Sequence, residues 1–128
     1  MGSVGILVVE DDADIRSALG DILADEGYAV SSAANGREAL GLLRAGLTPQ
    51  VILLDLMMPV MAGPDFRAAQ LADPALSGIP VILITAEGRL REISQALRAE
   101  ASFSKPFELS RLLRAIASVV AHRRSAAA

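Results

Sequence analysis

Three stretches of the chain are apolar without interruption: Ile6-Leu7-Val8-Val9, Val51-Ile52-Leu53-Leu54 and Ile79-Pro80-Val81-Ile82-Leu83-Ile84. Runs of this kind, rich in branched side chains, suit strands covered on both faces in the middle of a parallel sheet. Two weaker strand signals accompany them. Tyr28 to Ala33 is smaller and more polar, hence nearer a sheet edge, and Ala101 to Ser104 is a short final strand. Between these runs the apolar positions change to helical spacing. Ile15, Ala18, Leu19, Ile22 and Leu23 form a first helix closed by Gly27, and a second starts at Asn35 or Gly36, carries Ala39, Leu40 and Leu43, and ends at Gly46. Gly63-Pro64 opens a third helix, short and poorly patterned, with Pro74 beyond its end. The fourth has only a narrow stripe, Leu90, Ile93 and Leu97, among Arg89, Arg91, Glu92, Gln95 and Arg98. So thinly anchored a helix is a candidate for movement or for contact with a partner. The fifth carries Leu109, Leu112, Leu113, Ile116, Val119 and Val120 and ends in His122-Arg123-Arg124, cations that suit a helix C-terminus.

Strict alternation of five strands with five helices predicts an α/β fold: a doubly wound parallel sheet with helices on both faces. With the most apolar strands central and the Tyr28 strand at an edge, the strand order is 2-1-3-4-5, the flavodoxin-like order. In such sheets ligands gather at the carboxyl ends of the strands, beside the switch point between strands one and three. Residues 1–124 are expected to form one domain and 125–128 a disordered tail, with no linker to a second domain.

Composition narrows the picture. The chain has 128 residues, enough for a core without disulfides or structural metal. One Tyr, three Phe and no Trp leave that core to Leu, Ile, Val and Ala. Absence of Cys removes thiolate chemistry and fits a reducing compartment. No apolar run approaches the roughly 18 residues of a membrane span, and the N-terminus lacks a secretory pattern, so a cytoplasmic location with no membrane contact is expected. Twelve basic against fifteen acidic residues, net −3, give no sign of direct nucleic-acid binding.

The strand ends carry the chemistry. The first run stops at Glu10-Asp11-Asp12-Ala13-Asp14, the third strand at Asp55, the fourth at Thr85, and the last is followed by Lys105. One or two of the first four acids could cap the next helix; all four could not. A carboxylate directly after a buried run is costly unless it enters a polar cleft or meets a partner. Three carboxylates brought together need a cation, and oxygen donors without His or Cys favour Mg²⁺ or Mn²⁺. With a lysine and a hydroxyl opposite, the set suits phosphoryl transfer, with Asp55 as nucleophile forming an aspartyl phosphate.

Over essentially its whole length the chain resembles the receiver domains of two-component response regulators. The resemblance rests on Ile6 to Asp12, on Ala34-Asn35-Gly36-Arg37-Glu38-Ala39-Leu40, on Asp55-Leu56-Met57-Met58-Pro59-Val60-Met61-Ala62-Gly63, on Pro80 to Ala86, and on Lys105-Pro106-Phe107. It implies a phosphorelay protein rather than a conventional enzyme, one that catalyses its own aspartyl phosphorylation and dephosphorylation. It further implies that Asp55 accepts a phosphoryl group from a histidine kinase or phosphotransfer protein. Mg²⁺ would be held by Asp11, Asp55 and the Met57 backbone carbonyl, with Glu10 assisting through water. Lys105 would pair with the phosphoryl charge, and the Thr85 hydroxyl would swing onto a phosphoryl oxygen. That swing would control an output partner or attached domain through the face of the fourth helix, fifth strand and fifth helix. A phosphorylation-dependent homodimer belongs to the same expectation.

The pattern departs from the family at Ser102, where an aromatic switch residue usually stands three places before the lysine. The nearest aromatic, Phe103, is one place later, and alternation along a strand assigns it to the core rather than to the switch. Ala62 stands where the family often has Asp, and Pro64 is unusual there. The main rival is a phosphoesterase using an aspartyl nucleophile, of the haloacid dehalogenase type. Those enzymes place a second acid two residues after the nucleophile, and Met57 occupies that position. A nucleotide or flavin binder would need a Gly-rich first loop, where this chain has three acids in a row. His122, beside two arginines in the last helix, suits a dipole partner, and the methionines around the third strand suit packing.

Overall fold

The computed structural model describes residues 4–86 and 90–127. Strands β1 (Gly5–Val9), β2 (Ala29–Ala33), β3 (Val51–Leu54), β4 (Val81–Thr85) and β5 (Ala101–Ser104) alternate with helices α1 (Ala13–Asp25), α2 (Gly36–Arg44), α3 (Gly63–Ala72), α4 (Leu90–Ala96) and α5 (Leu109–Ala127). All pairings are parallel, in the order β2-β1-β3-β4-β5. The expected fold is therefore the observed one, with the more polar β2 at an edge.

Alternation along the central strands divides the core. Leu7, Val9, Ile52, Leu54, Val81 and Leu83 face one helix layer, where Ala39, Leu40 and Leu43 of α2 and Phe66 of α3 complete the packing. Ile6, Val8, Val51, Leu53, Ile82 and Ile84 face the other, against Leu19 and Leu23 of α1 and Leu112, Ile116 and Val120 of α5. The register sets Ser102 opposite Leu83 and Phe103 opposite Ile84. Phe103 accordingly packs, half-buried, with the α1 and α5 layer.

Helix ends show which local signals act. Asp12 caps α1, its Oδ1 accepting from the amides of Asp14 at 2.9 Å and Ile15 at 3.1 Å. Asn35 caps α2 through the Glu38 amide at 2.8 Å. The α5 stripe begins at Leu112 rather than Leu109, which is 37% exposed. The helix also passes Arg124 and reaches Ala127, into the stretch expected to be a tail; Ala128 lies outside the described residues. So do Arg89 and the side chains of Leu90 and Arg91, three of the positions on which the reading of α4 rests.

The poor patterning of α3 has a specific cause: two of its inward positions are polar. Arg67 and Gln70 are both buried. The Arg67 guanidinium donates to Gln70 Oε1 at 2.7 Å, to the Leu97 carbonyl at 2.9 Å and to the Arg98 carbonyl at 3.0 Å. Gln70 Nε2 in turn donates to the carbonyls of Leu76 and Ile79, each at 2.9 Å. Burial lowers the Arg67 pKa, yet guanidinium remains charged in proteins. The C-terminal end of α4, where Arg98 turns left-handed with φ 56°, is thus clasped to α3 by a cation on orphan carbonyls.

Replacing Arg67 by Leu keeps bulk but strands two carbonyls and Gln70 Oε1. Charge-assisted hydrogen bonds contribute about 1.5–3 kcal/mol each in such settings, less what water recovers, and the expected loss of stability is about 2–4 kcal/mol. Urea denaturation checks the magnitude. Faster amide hydrogen exchange at residues 97 to 99 than in the parent is the expected local signature.

Candidate metal centre

Glu10, the first residue after β1, and Asp55, the first after β3, sit side by side because the two strands pair in register from Ile6 with Val51 to Val9 with Leu54. The Asp55 amide donates to the Val9 carbonyl at 3.0 Å, continuing the ladder to the strand end, and the Glu10 amide donates to the Ala33 carbonyl of β2 at 3.1 Å. Both acids are buried, Glu10 completely and Asp55 to within 3%. Asp11 is exposed beside them. One carboxylate oxygen from each of Glu10, Asp11 and Asp55 lies within 4.8 Å of the others.

Lys105, delivered by the end of β5, reaches this cluster. Its Nζ donates to Glu10 Oε1 and, at 3.1 Å, to Asp55 Oδ2. The Lys105 amide donates to the Thr85 carbonyl at 2.8 Å, which ties β5 to the end of β4, and the Lys105–Pro106 peptide is cis. Thr85 is fully buried at that end. The strand ends thus bring together every acid expected there, with the lysine on the acids and the threonine one strand away.

Electrostatics follow from this geometry. Burial pushes the Glu10 carboxyl up from its ordinary range to about 7; the adjacent Asp55 adds to the rise and Lys105 opposes it. Burial also disfavours the Lys105 charge, but hydrogen bonds to Glu10 and Asp55 outweigh it and hold the amine pKa above its ordinary value. The cluster carries more negative charge than one lysine neutralises, and a second cation suits it. Three carboxylate oxygens, without nitrogen or sulfur donors, fit a hard divalent ion such as Mg²⁺ or Mn²⁺.

The loop between β3 and α3 frames Asp55. The Met57 amide donates to Asp55 Oδ1 at 3.0 Å, so both carboxylate oxygens are held, one by backbone and one by Lys105. Met57 itself is 61% exposed, which excludes the core packing its residue type suggests. Val60 adopts φ 68°, and the Met61 amide closes a tight turn on the Pro59 carbonyl at 2.7 Å. A left-handed β-branched residue stores strain of about 1–3 kcal/mol, held only where its surroundings over-determine it. Two glycines provide that constraint. A Cβ on Gly63 would lie 2.7 Å from Leu56 Cα, and one on Gly36 would lie 2.8 Å from the Met61 carbonyl oxygen, which accepts the Gly36 amide.

Sequence reasoning missed one residue here. Arg16 donates through Nη1 to the carbonyls of Glu10 at 2.8 Å and Asp11 at 3.3 Å. No side-chain pattern could have found it, because both of its partners are backbone carbonyls.

Among the described residues no helix is long and apolar enough to cross a membrane. The family model described as response regulator receiver domain matches residues 6–117. The DNA-binding response regulator MtrA of Mycobacterium leprae is 36% identical over 110 residues, covering 84% of this chain and 47% of MtrA. The chain spans about half the length of the curated relatives it matches first. Among solved structures, the chemotaxis protein CheY4 of Vibrio cholerae is similar at TM-score 0.83 and 32% identity, covering 92% of this chain and 99% of that one. TrrA of Thermotoga maritima, a response regulator solved in complex with Mg²⁺ and BeF, is similar at TM-score 0.80 and 28% identity, covering 91% and 98%. Agreement of family match, strand order and the acids at the strand ends shows that this chain belongs to the response-regulator receiver domains of two-component systems.

Proposed function

We propose that this receiver domain accepts a phosphoryl group on Asp55 from the phosphohistidine of a kinase or phosphotransfer protein. The observation that carries the reading is Lys105 Nζ bridging Glu10 and Asp55 at the edge of a three-carboxylate cluster. In the transfer an Asp55 oxygen forms the new bond to phosphorus while the phosphorus–nitrogen bond breaks, and the imidazole leaves with the electron pair. Glu10, Asp11, Asp55 and the Met57 carbonyl would hold Mg²⁺ or Mn²⁺, which would supply charge neutralisation for the phosphoryl oxygens. The complex of TrrA with Mg²⁺ and BeF supports that choice of ion.

Phosphorylation places new negative charge beside Lys105, whose amine then turns from Glu10 toward the phosphoryl oxygens. The Thr85 hydroxyl, buried at the end of β4, binds a phosphoryl oxygen and draws the β4 end with it. The loop it would pull, residues 87–89, lies outside the described residues. α4 follows as a lever, because Ile93 and Leu97 hold it only half-buried while Arg67 fixes its far end. Charge switches act in this way, by biasing an element with two packings. The face of α4, β5 and α5 would present the change to an output partner, an attached domain or a second copy of the chain. With Ser102 in the place of the usual aromatic, Phe103 takes no part, since it packs on the opposite side of the sheet.

Incubation with acetyl phosphate and Mg²⁺ is expected to add one phosphoryl group by intact mass, and Asp55→Asn to abolish the addition. A parent whose mass does not change would falsify the phosphoacceptor reading. Lys105→Ala is expected to remain phosphorylatable while losing the response. Amide chemical shifts of residues 92 to 97, which move on phosphorylation of the parent, then stay at their unphosphorylated positions. Equal shifts in the two proteins would remove Lys105 from the switch.

A further inference from the structure

The mechanism above leaves Arg16 without a role, although its guanidinium is bonded to the two acids that join Asp55 in the cluster. Arg16 is half-buried on α1, and Nη1 donates to the carbonyl of Glu10 at 2.8 Å and to that of Asp11 at 3.3 Å. Resting on the cation reading of the site, we propose that Arg16 is a positioning residue for divalent-ion binding. It fixes the backbone of the β1–α1 loop so that the Asp11 carboxylate faces Asp55 before the ion arrives, Glu10 being already held by Lys105.

The loop is three residues long between Val9, the end of β1, and Ala13, the start of α1. Its two ends are held by other means. The Glu10 amide is bonded to Ala33, and Asp12 caps the helix. Asp11 sits between them, exposed. The direction of its carboxylate therefore depends on how firmly the peptide groups on either side are held, and those are the groups whose carbonyls Arg16 binds.

Two effects of Arg16 oppose each other. Its positive charge near the site repels a cation, but for a partly solvated side chain in physiological salt that amounts to roughly twofold in affinity. Its hydrogen bonds remove loop freedom that an ion would otherwise have to restrict, and ordering one residue's backbone corresponds to roughly tenfold. Positioning wins. Removing the side chain weakens ion binding by about fivefold, although it makes the site more negative.

Titration of the full chain with Mg²⁺, followed by amide chemical shifts near Asp55, tests this. Arg16→Ala is expected to raise the dissociation constant about fivefold, and Arg16→Lys, which keeps a donor and the charge, to recover part of the loss. A purely structural role would lower the melting temperature of the metal-free protein and leave Mg²⁺ affinity alone. A purely electrostatic role would make Arg16→Ala bind more tightly. Either result overturns the proposal. Should Arg16→Ala not fold, Arg16→Gln replaces it, with weaker binding expected and unchanged or tighter binding overturning the idea. A parent that binds no Mg²⁺ overturns the cation reading and this inference with it; a parent that binds, beside an Arg16→Ala that binds equally, overturns this inference alone.

Discussion

Two carboxylates buried at adjacent strand ends are the constraint on which the rest depends. Neither Glu10 nor Asp55 can move away from the other, because β1 and β3 pair along their length and the ladder extends to the Asp55 amide. Burying ionised groups without compensation costs several kcal/mol each. The chain meets that cost with one lysine carried in from the last strand, 50 residues after Asp55 and 95 after Glu10. The lysine suffices for part of the charge, and Glu10 answers the remainder by favouring its protonated form. A site in this condition is poised: any cation that enters finds ligands already assembled, and any anion placed on Asp55 competes for Lys105.

Poise of this kind needs a stiff frame, and the frame is local backbone rather than more side chains. Gly63 lets α3 begin against Leu56, and Gly36 lets α2 begin against the Met61 carbonyl. Between those two contacts the loop from Met57 to Met61 has little freedom, which is why Val60 can be held left-handed. The strain lies at Val60, five residues from Asp55, where a relaxed loop would let the Met57 amide drift from Asp55 Oδ1.

Much of this was legible in the residues. Unbroken apolar runs gave the central strands, and the weaker pattern of Tyr28 to Ala33 placed β2 at an edge, since both signals arise from burial, which composition records directly. Placing Glu10, Asp11, Asp55, Thr85 and Lys105 together required only the strand order, because each lies at or just beyond the end of an expected strand. What the sequence concealed were interactions through backbone atoms. Arg16 and Arg67 act on carbonyls, which every residue has, so no pattern of side chains announces the partner. Gly36 and Gly63 read as helix starts, and nothing in their neighbours shows that another segment passes within van der Waals distance. Leu109 misled for a different reason: at the first turn of a helix an apolar residue can satisfy the period and still lie exposed.

The third helix gives the more general point. A buried Arg and Gln spoil its apolar pattern, and by pattern alone it scores as the weakest helix after α4. Yet those two residues join α3 to the end of α4 and to the loop before β4. Complete burial of an aliphatic side chain contributes about 1.5–3 kcal/mol, and α5 has three such residues in Leu112, Ile116 and Val120. α4 has none among its described side chains. Its C-terminal end is held instead by directional, charge-assisted bonds from the Arg67 guanidinium. Among the described residues the grip on α4 is therefore concentrated at its C-terminal end, where Arg67 holds the carbonyls of Leu97 and Arg98. The polar residues that obscure α3 in the sequence are thus the ones that fix where α4 is held, because a buried cation can bind carbonyls that no apolar side chain could satisfy.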